Sequence, residues 1–231
     1  MSPVARRRLI VNADDFGRSP AINHGIVRAH REGIVTSASL MVRRPAAGTA
    51  VALAAQHPTL SLGLHIELGD WEYVDGTWVE VEHVVGADDS NEIEAEIERQ
   101  VERFVALAGQ APAHLDTHQH VHRDGPARAI IAAWGDQLDV RVRDLTPGIA
   151  YRGDFYGQDG RGHPCHAAIT VDALVALIES LPAGVTELGC HPGEWPDPAA
   201  GVYGIERSLE LSALCDPRVR AACAAGRVEL G

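Results

Sequence analysis

The residues best suited to chemistry in this chain are His114-Leu115-Asp116-Thr117-His118-Gln119-His120-Val121-His122. Four imidazoles and one carboxylate fall within nine residues, at alternating positions. An extended backbone sends every second side chain to the same face, so His118, His120 and His122 line one wall if the strand runs that far. Neutral imidazole is the commonest protein metal ligand near neutral pH. The run therefore predicts one edge of a metal site, with His114 set deeper.

Two other segments can complete such a site. Asn12-Ala13-Asp14-Asp15-Phe16-Gly17 follows the apolar run Leu9-Ile10-Val11 and precedes Ser19-Pro20, a helix-start signal. Ser61-Leu62-Gly63-Leu64-His65-Ile66-Glu67 is a second apolar run with a histidine near its end. Each pattern predicts a short buried strand with its polar residue at the C-terminal tip. Asp15, His65 and His118 then give one carboxylate and two imidazoles, and coordination positions remain for water, as a catalytic site needs. One divalent ion is expected. The donor set suits zinc and other transition metals, and open water positions also admit magnesium, for which imidazole is a poor ligand.

Plainer readings stand beside these. Asp14 and Asp15 could cap the following helix, His65 could be a satisfied core histidine, and His191 before proline could shape a turn. His120 and His122 could lie behind the ligands or at the surface. Arg141 and Arg143 alternate on one strand, where ion pairs are the default and contact with substrate or with Asp14 is the alternative. Trp71, Trp78 and Trp195 could stack on sugar rings or cover a core edge. Glu92, Glu94, Glu96 and Glu98 read as a solvated helix face.

Strand and helix patterns alternate along the chain. Strands are predicted at 8–13, 35–42, 60–66, 113–117, 140–142, 185–190 and 227–230. Helices are predicted at 20–32, 45–56, 90–108, 126–134, 171–181, 203–214 and 217–225, with Ser90 offered as a cap. Residues 67–90 break the rhythm and read as a long loop or a small hairpin, and 144–168 read as loop. About seven β/α units predict a parallel sheet covered by helices, an irregular (β/α) TIM-like barrel in a single domain over 1–231, with 67–90 and 144–170 as loop insertions. Chemistry in such barrels collects at the C-terminal ends of strands. Asp14, Asp15, His65, His118 and His191 are all predicted there, although far apart in sequence.

The whole chain sets bounds on function. Its 231 residues carry a formal charge of −12, and 45% are hydrophobic. No basic patch suggests nucleic acid, and no apolar run is long enough to span a membrane. The start, through Ala5-Arg6-Arg7-Arg8, is too short for a signal-peptide core, so a cytoplasmic enzyme is expected. Cys165, Cys190, Cys215 and Cys223 form no Cys-x-x-Cys pair and are expected reduced. All 20 basic residues are arginine, which excludes Schiff-base, pyridoxal-anchoring and P-loop lysines. A homodimer is expected only on the general habit of small intracellular enzymes.

Asn-Ala-Asp-Asp-Phe-Gly at 12–17, Gly-Leu-His at 63–65, the His-rich run at 114–122 and Cys-His-Pro-Gly at 190–193 resemble the YdjC-like (ChbG-type) carbohydrate deacetylase family. The resemblance follows the motif order over nearly the whole chain and is weakest at 67–90 and 144–170. It implies a distorted (β/α) barrel related to polysaccharide deacetylases, and removal of acetyl groups from N-acetylated sugars such as chitooligosaccharides with a divalent metal. It places the ligands at Asp15, His65 and His118, the base at Asp14 and a candidate acid at His191. The expected chemistry is amide hydrolysis with metal-bound water as nucleophile. Competing readings are a metal-dependent amidohydrolase or phosphoesterase on a similar barrel, and a non-catalytic metal or sugar binder. Arg141, His120, His122 and Trp71 are the expected substrate-contacting or supporting residues.

Overall fold

The computed structural model describes residues 6–86 and 88–231. The start of the chain through Ala5, and Ala87 within the 67–90 segment, lie outside the described residues. In chain order the elements are β1 (Arg7–Phe16), α1 (Pro20–Glu32), β2 (Ser37–Leu40), α2 (Ala47–Ala55), β3 (Ser61–Ile66), β4 (Gly69–Val74) and β5 (Thr77–His83). They continue with α3 (Ser90–Ala108), β6 (His114–Thr117), α4 (Gly125–Leu138), β7 (Arg141–Val142) and β8 (Ile149–Arg152). The last are α5 (Val171–Glu179), β9 (Gly184–Cys190), α6 (Ile205–Leu214), α7 (Pro217–Ala225) and β10 (Val228–Leu230).

Seven strands pair in parallel in the order β7-β6-β3-β2-β1-β9-β8. β1 is the axis. Its first residues, Arg7 to Leu9, pair with β10, and from Asn12 onward the strand pairs with β2. Its buried Leu9 and Val11, with Leu64, Leu115 and Leu188, belong to a continuous hydrophobic core that includes Ile22, Ile26, Ile93, Ile97 and Leu214 from the helices. Such a parallel sheet, covered by crossover helices, reads as runs of apolar residues rather than alternation. The (β/α) architecture thus follows the sequence. β7 and β8 end the path, and Arg141 on β7 reaches Glu187 on β9 at 2.6 Å. No helix of the described residues is long and apolar enough to cross a membrane.

Three expectations change, and one open alternative is settled. The 144–168 segment contains β8, which pairs with β9 beyond the left-handed turn at Gly148. Four residues of mixed polarity carry no readable period, and the strand is defined by its long-range partner. The 67–90 segment forms the antiparallel β4–β5 hairpin, the shorter of the two readings above. Helix α3 is capped by Asp89, not Ser90: its carboxylate accepts from the Asn91 and Glu92 N–H groups. Glu96 is buried and pairs with Arg43 and Arg99, because residues spaced by two circle a helix instead of sharing a face. The described cysteines are free, as expected.

The inside of the sheet near its C-terminal edge is polar. Gly63 makes room for the His114 ring, since a Cβ there would lie 2.3 Å from Nε2. Burial, reinforced by Arg141, depresses His114 to about 3. An unfolded histidine takes its proton near 6.5, so below that pH the unfolded chain binds the extra proton first. The neutral ring therefore favours the fold fully above 6.5, and that stability is lost as the pH falls towards 3, at about 1.4 kcal/mol per pH unit. Urea unfolding at several pH values below 6.5 is expected to show this slope, and His114→Gln should remove that share of it; equal slopes in both proteins would contradict the assignment.

Candidate metal centre

Asp14 and Asp15 are neighbours, and a regular strand would send them to opposite faces. The chain avoids this by a register shift between Ala13 and Phe16, with Asp15 in the left-handed region at φ 67°. Bulges of this kind re-aim side chains beside functional sites. β1 thus continues past Ala13, and both carboxylates line one cavity with His65, His118 and His191. His65 comes from the end of β3, His118 from the residue after β6, and His191 from the residue after β9.

Asp15 Oδ1, His65 and His118 present ligand atoms that all lie within 4.8 Å of one another. His65 Nε2 is 3.6 Å and His118 Nδ1 3.4 Å from Asp15 Oδ1. That oxygen is buried and accepts no hydrogen bond. The other atoms of the trio are occupied. His65 Nδ1 meets Asp116 Oδ1 at 2.8 Å, His118 Nε2 meets Asp70 Oδ1 at 3.0 Å, and Arg207 binds Asp15 Oδ2. Carboxylates behind the histidines fix the rings and leave the inward nitrogens as donors. Burial opposes a charge on His118, but Asp15 and Asp70 outweigh it and raise the group to about 9. Burial likewise opposes ionisation of Asp15, yet Arg207 and His118 hold its carboxyl well below the usual range. A positive charge belongs between these groups, and two nitrogens with one oxygen fit a divalent transition-metal ion.

Asp14 is held differently. Arg143 donates to both of its oxygens at 2.6 and 2.7 Å, and Asn12 Nδ2 to Oδ1 at 2.9 Å. Burial favours the neutral acid, but the guanidinium prevails and the carboxyl is lowered, so Asp14 is ionised. Arg143 is itself fully buried and pairs also with Asp116 and Glu187, each within 2.8 Å. His191 Nε2 is 3.8 Å from Asp14 Oδ2. Glu210 on α6 accepts the His191 backbone N–H and the Tyr203 hydroxyl. Burial works against a charge on His191, and Glu210 with Asp14 and Asp15 more than offsets it, raising the imidazole above its ordinary value. Gly25 lets α1 approach this segment: a Cβ there would lie 2.5 Å from Gly193 Cα.

The rest of the His-rich run departs from the expected wall. β6 stops at Thr117, and Gln119 and His120 adopt left-handed backbone angles. His120 still borders the cavity, with Nε2 3.4 Å from the Tyr151 hydroxyl. His122 is buried away from it, with Nδ1 2.6 Å from Thr117 Oγ1. Arg141 does not line the cavity; it steadies Glu187, which in turn holds Arg143. Trp71 and Trp78 line the cavity, and Trp195 does not. Asp70, Asp116, Arg207, Glu187 and Glu210 had no assigned role in the sequence. Asp116 was the readable one, because it alternates with His114 and His118 on one strand. Arg207 and Glu210, three apart on a distant helix, carry no local signal.

The parallel sheet, with acids and imidazoles gathered at its C-terminal edge, is a (β/α)-barrel fold that solved carbohydrate esterases share. Among solved structures, a family 4 carbohydrate esterase from Streptomyces lividans superposes with a TM-score of 0.53 at 14% identity, over 99% of this chain and 93% of that one. A protein assigned to cellobiose-phosphate cleavage in Enterococcus faecalis V583 superposes with a TM-score of 0.81 at 23% identity, over 98% and 97% of the two chains. The chain belongs to the YdjC-like protein family, which matches residues 8–225. A carbohydrate deacetylase of Geobacillus stearothermophilus is 34% identical over 97% of this chain and 96% of its own. A chitooligosaccharide deacetylase of Serratia marcescens is 30% identical, covering 94% of both chains.

Proposed function

We propose that this protein is a metal-dependent hydrolase that removes N-acetyl groups from amino sugars or chitooligosaccharides. The observation that carries the reading is the unbonded, buried Asp15 Oδ1 facing His65 Nε2 and His118 Nδ1, in a cavity that Asp14 and His191 also line. Family membership and the curated deacetylase relatives support it. The cavity encloses about 660 Å³, within the size range of small-molecule sites.

Amide hydrolysis needs an attacking water, charge stabilisation at the carbonyl and a proton for the leaving amine. Asp15, His65 and His118 would hold a divalent cation, which would supply Lewis acidity to the attacking water and the acetyl carbonyl. Asp14, ionised and fixed by Arg143, takes the proton of the water as its oxygen bonds to the acetyl carbon. His191 gives a proton to the sugar nitrogen as the C–N bond breaks, which leaves acetate and a free amine. Glu210 raises the affinity of the imidazole for that proton. Nitrogen-rich ligation favours zinc or another transition metal over magnesium.

The direct test is acetate release from N-acetylglucosamine and its oligomers, with and without chelator. Metal-dependent release supports the proposal. Phosphate release from sugar phosphates without acetate release points to the phosphoesterase, and saturable binding with no turnover points to the binder. Arg207 offers a further check, since it occupies Asp15 Oδ2 and leaves one oxygen for the ion. Removing a partner that orients a ligand costs roughly 10–100-fold in metal affinity. Arg207→Gln is expected to lose affinity within that range in competition with a chromogenic chelator, and unchanged affinity would rule out the orienting role.

A further inference from the structure

Strand β8 brings Tyr151 into the cavity, a residue with no part in the steps above. Tyr151 pairs with Glu187 on β9, and its hydroxyl reaches Gly189, two residues further along that strand. Two glycines clear the way. A Cβ on Gly189 would lie 2.6 Å from the hydroxyl oxygen, and one on Gly153 would lie 2.9 Å from Cε1. The Arg143 guanidinium packs over the ring, 5.2 Å from its centroid, and Arg123 approaches at 5.4 Å. A cation over an aromatic face is attracted by the ring quadrupole. His120 meets the ring edge to face, with centroids 5.4 Å apart. Strand, cations and imidazole together fix where the hydroxyl stands.

Arg143 is also the residue that grips both oxygens of Asp14, so Tyr151 rests on the support of the base. Among the described residues its hydroxyl has one hydrogen-bond partner, His120 Nε2 at 3.4 Å. His120 Nδ1 is buried and makes no hydrogen bond. An N–H buried without an acceptor is tolerated less well than an unused lone pair, so the imidazole hydrogen belongs on Nε2. His120 then donates to the Tyr151 oxygen, and the hydroxyl hydrogen is free to point into the cavity. Burial raises the Tyr151 hydroxyl above its ordinary value, so it stays protonated.

We propose that the Tyr151 hydroxyl donates a hydrogen bond to the acetyl oxygen as water adds to the carbonyl carbon, and that His120 aims it. This rests on the deacetylase reading and deepens it. Addition of water turns the carbonyl oxygen into an oxyanion, with more lone pairs than a single cation takes up. Asp14 is itself ionised, and the His191 proton goes to the leaving nitrogen, so the developing charge calls for a separate donor. A neutral donor fixed in advance needs no reorganisation as that charge appears. The hydrogen stays on the tyrosine oxygen throughout, and no bond to it breaks. Tyr151 touches the reacting atoms and is a catalytic residue. His120 acts through it and is a positioning residue.

The experiment uses metal-loaded protein, the β-1,4-linked N-acetylglucosamine dimer, and an analogue of that dimer with a methylphosphonamide in place of each acetamide. The tetrahedral phosphorus carries a charged oxygen where the intermediate has one, so the analogue reports on interactions special to the transition state. Tyr151→Phe keeps the ring over Arg143 and removes only the hydroxyl. It is expected to lower kcat by about 10²–10³-fold with KM unchanged, and to weaken the analogue about a hundredfold in calorimetric titration. His120→Asn tolerates the left-handed backbone but withdraws the ring. It should weaken the analogue about tenfold with KM for the dimer unmoved, and an unchanged analogue affinity removes its aiming role. A rise in KM with kcat intact in Tyr151→Phe, or equal affinity of that variant and the native protein for the analogue, overturns the proposal. Native protein that releases no acetate defeats the deacetylase reading instead, and the analogue then decides alone. A loss of affinity in Tyr151→Phe still supports the donor, whereas equal constants, or no saturable binding by the native protein, overturn it.

Discussion

His65→Ala and His118→Ala are expected to leave a folded protein that no longer retains one equivalent of divalent ion and that releases acetate at least roughly a thousandfold more slowly than the native enzyme. The size follows from the role proposed for the ion. Lewis-acid stabilisation of the developing charge contributes several kcal/mol, and about 1.4 kcal/mol is a factor of ten in rate. Among the described residues, each imidazole is one of three donors that face the same point. Asp15→Ala should lose the ion as well, and also lower Tm, because it strands the buried Arg207 guanidinium without its carboxylate. Metal analysis after dialysis, with circular dichroism to confirm folding, separates ligand loss from unfolding. Full retention of the ion by both histidine variants would contradict the ligand assignment.

The second large effect is expected at Asp14. Asp14→Asn should keep the ion, because Asp15, His65 and His118 are untouched, yet lose about 10²–10⁴-fold in kcat, the usual contribution of a positioned general base. The substitution removes a buried charge beside Arg143, but Arg143 keeps Asp116 and Glu187 as partners. The fold should therefore survive. Acetate release and metal content measured on the same preparation give the answer. Near-native turnover in Asp14→Asn would remove Asp14 from the reaction, and loss of the ion would make it a ligand.

Much of this site was legible because the fold repeats a simple unit. A buried parallel strand is a short apolar run, and the polar residues just beyond it lie towards the C-terminal tip where barrel chemistry collects. Asp14, Asp15, His65 and His191 could be placed that way before any coordinates. The His-rich run misled beyond His118, because alternation says nothing about where a strand stops. The chain turns at Gln119 and His120 through left-handed angles that non-glycine residues seldom adopt, and so sends His122 behind Thr117. The supporting charges were hidden for a different reason. The Arg143–Asp14 contact is among the readings offered above, but Arg207 binds Asp15 across 192 residues and Glu210 meets the His191 backbone across 19. Such pairs depend on how helices and strands are laid together, which no local pattern encodes. β8 carries no readable pattern on the same ground, since its identity as a strand comes from β9.

The most direct test is a crystal of metal-loaded protein, with anomalous diffraction measured at the absorption edge of the supplied ion. One strong peak is expected among Asp15 Oδ1, His65 Nε2 and His118 Nδ1, at bonding distance from all three atoms. A map with no density at that point, or an ion held by other side chains elsewhere in the cavity, would contradict the account.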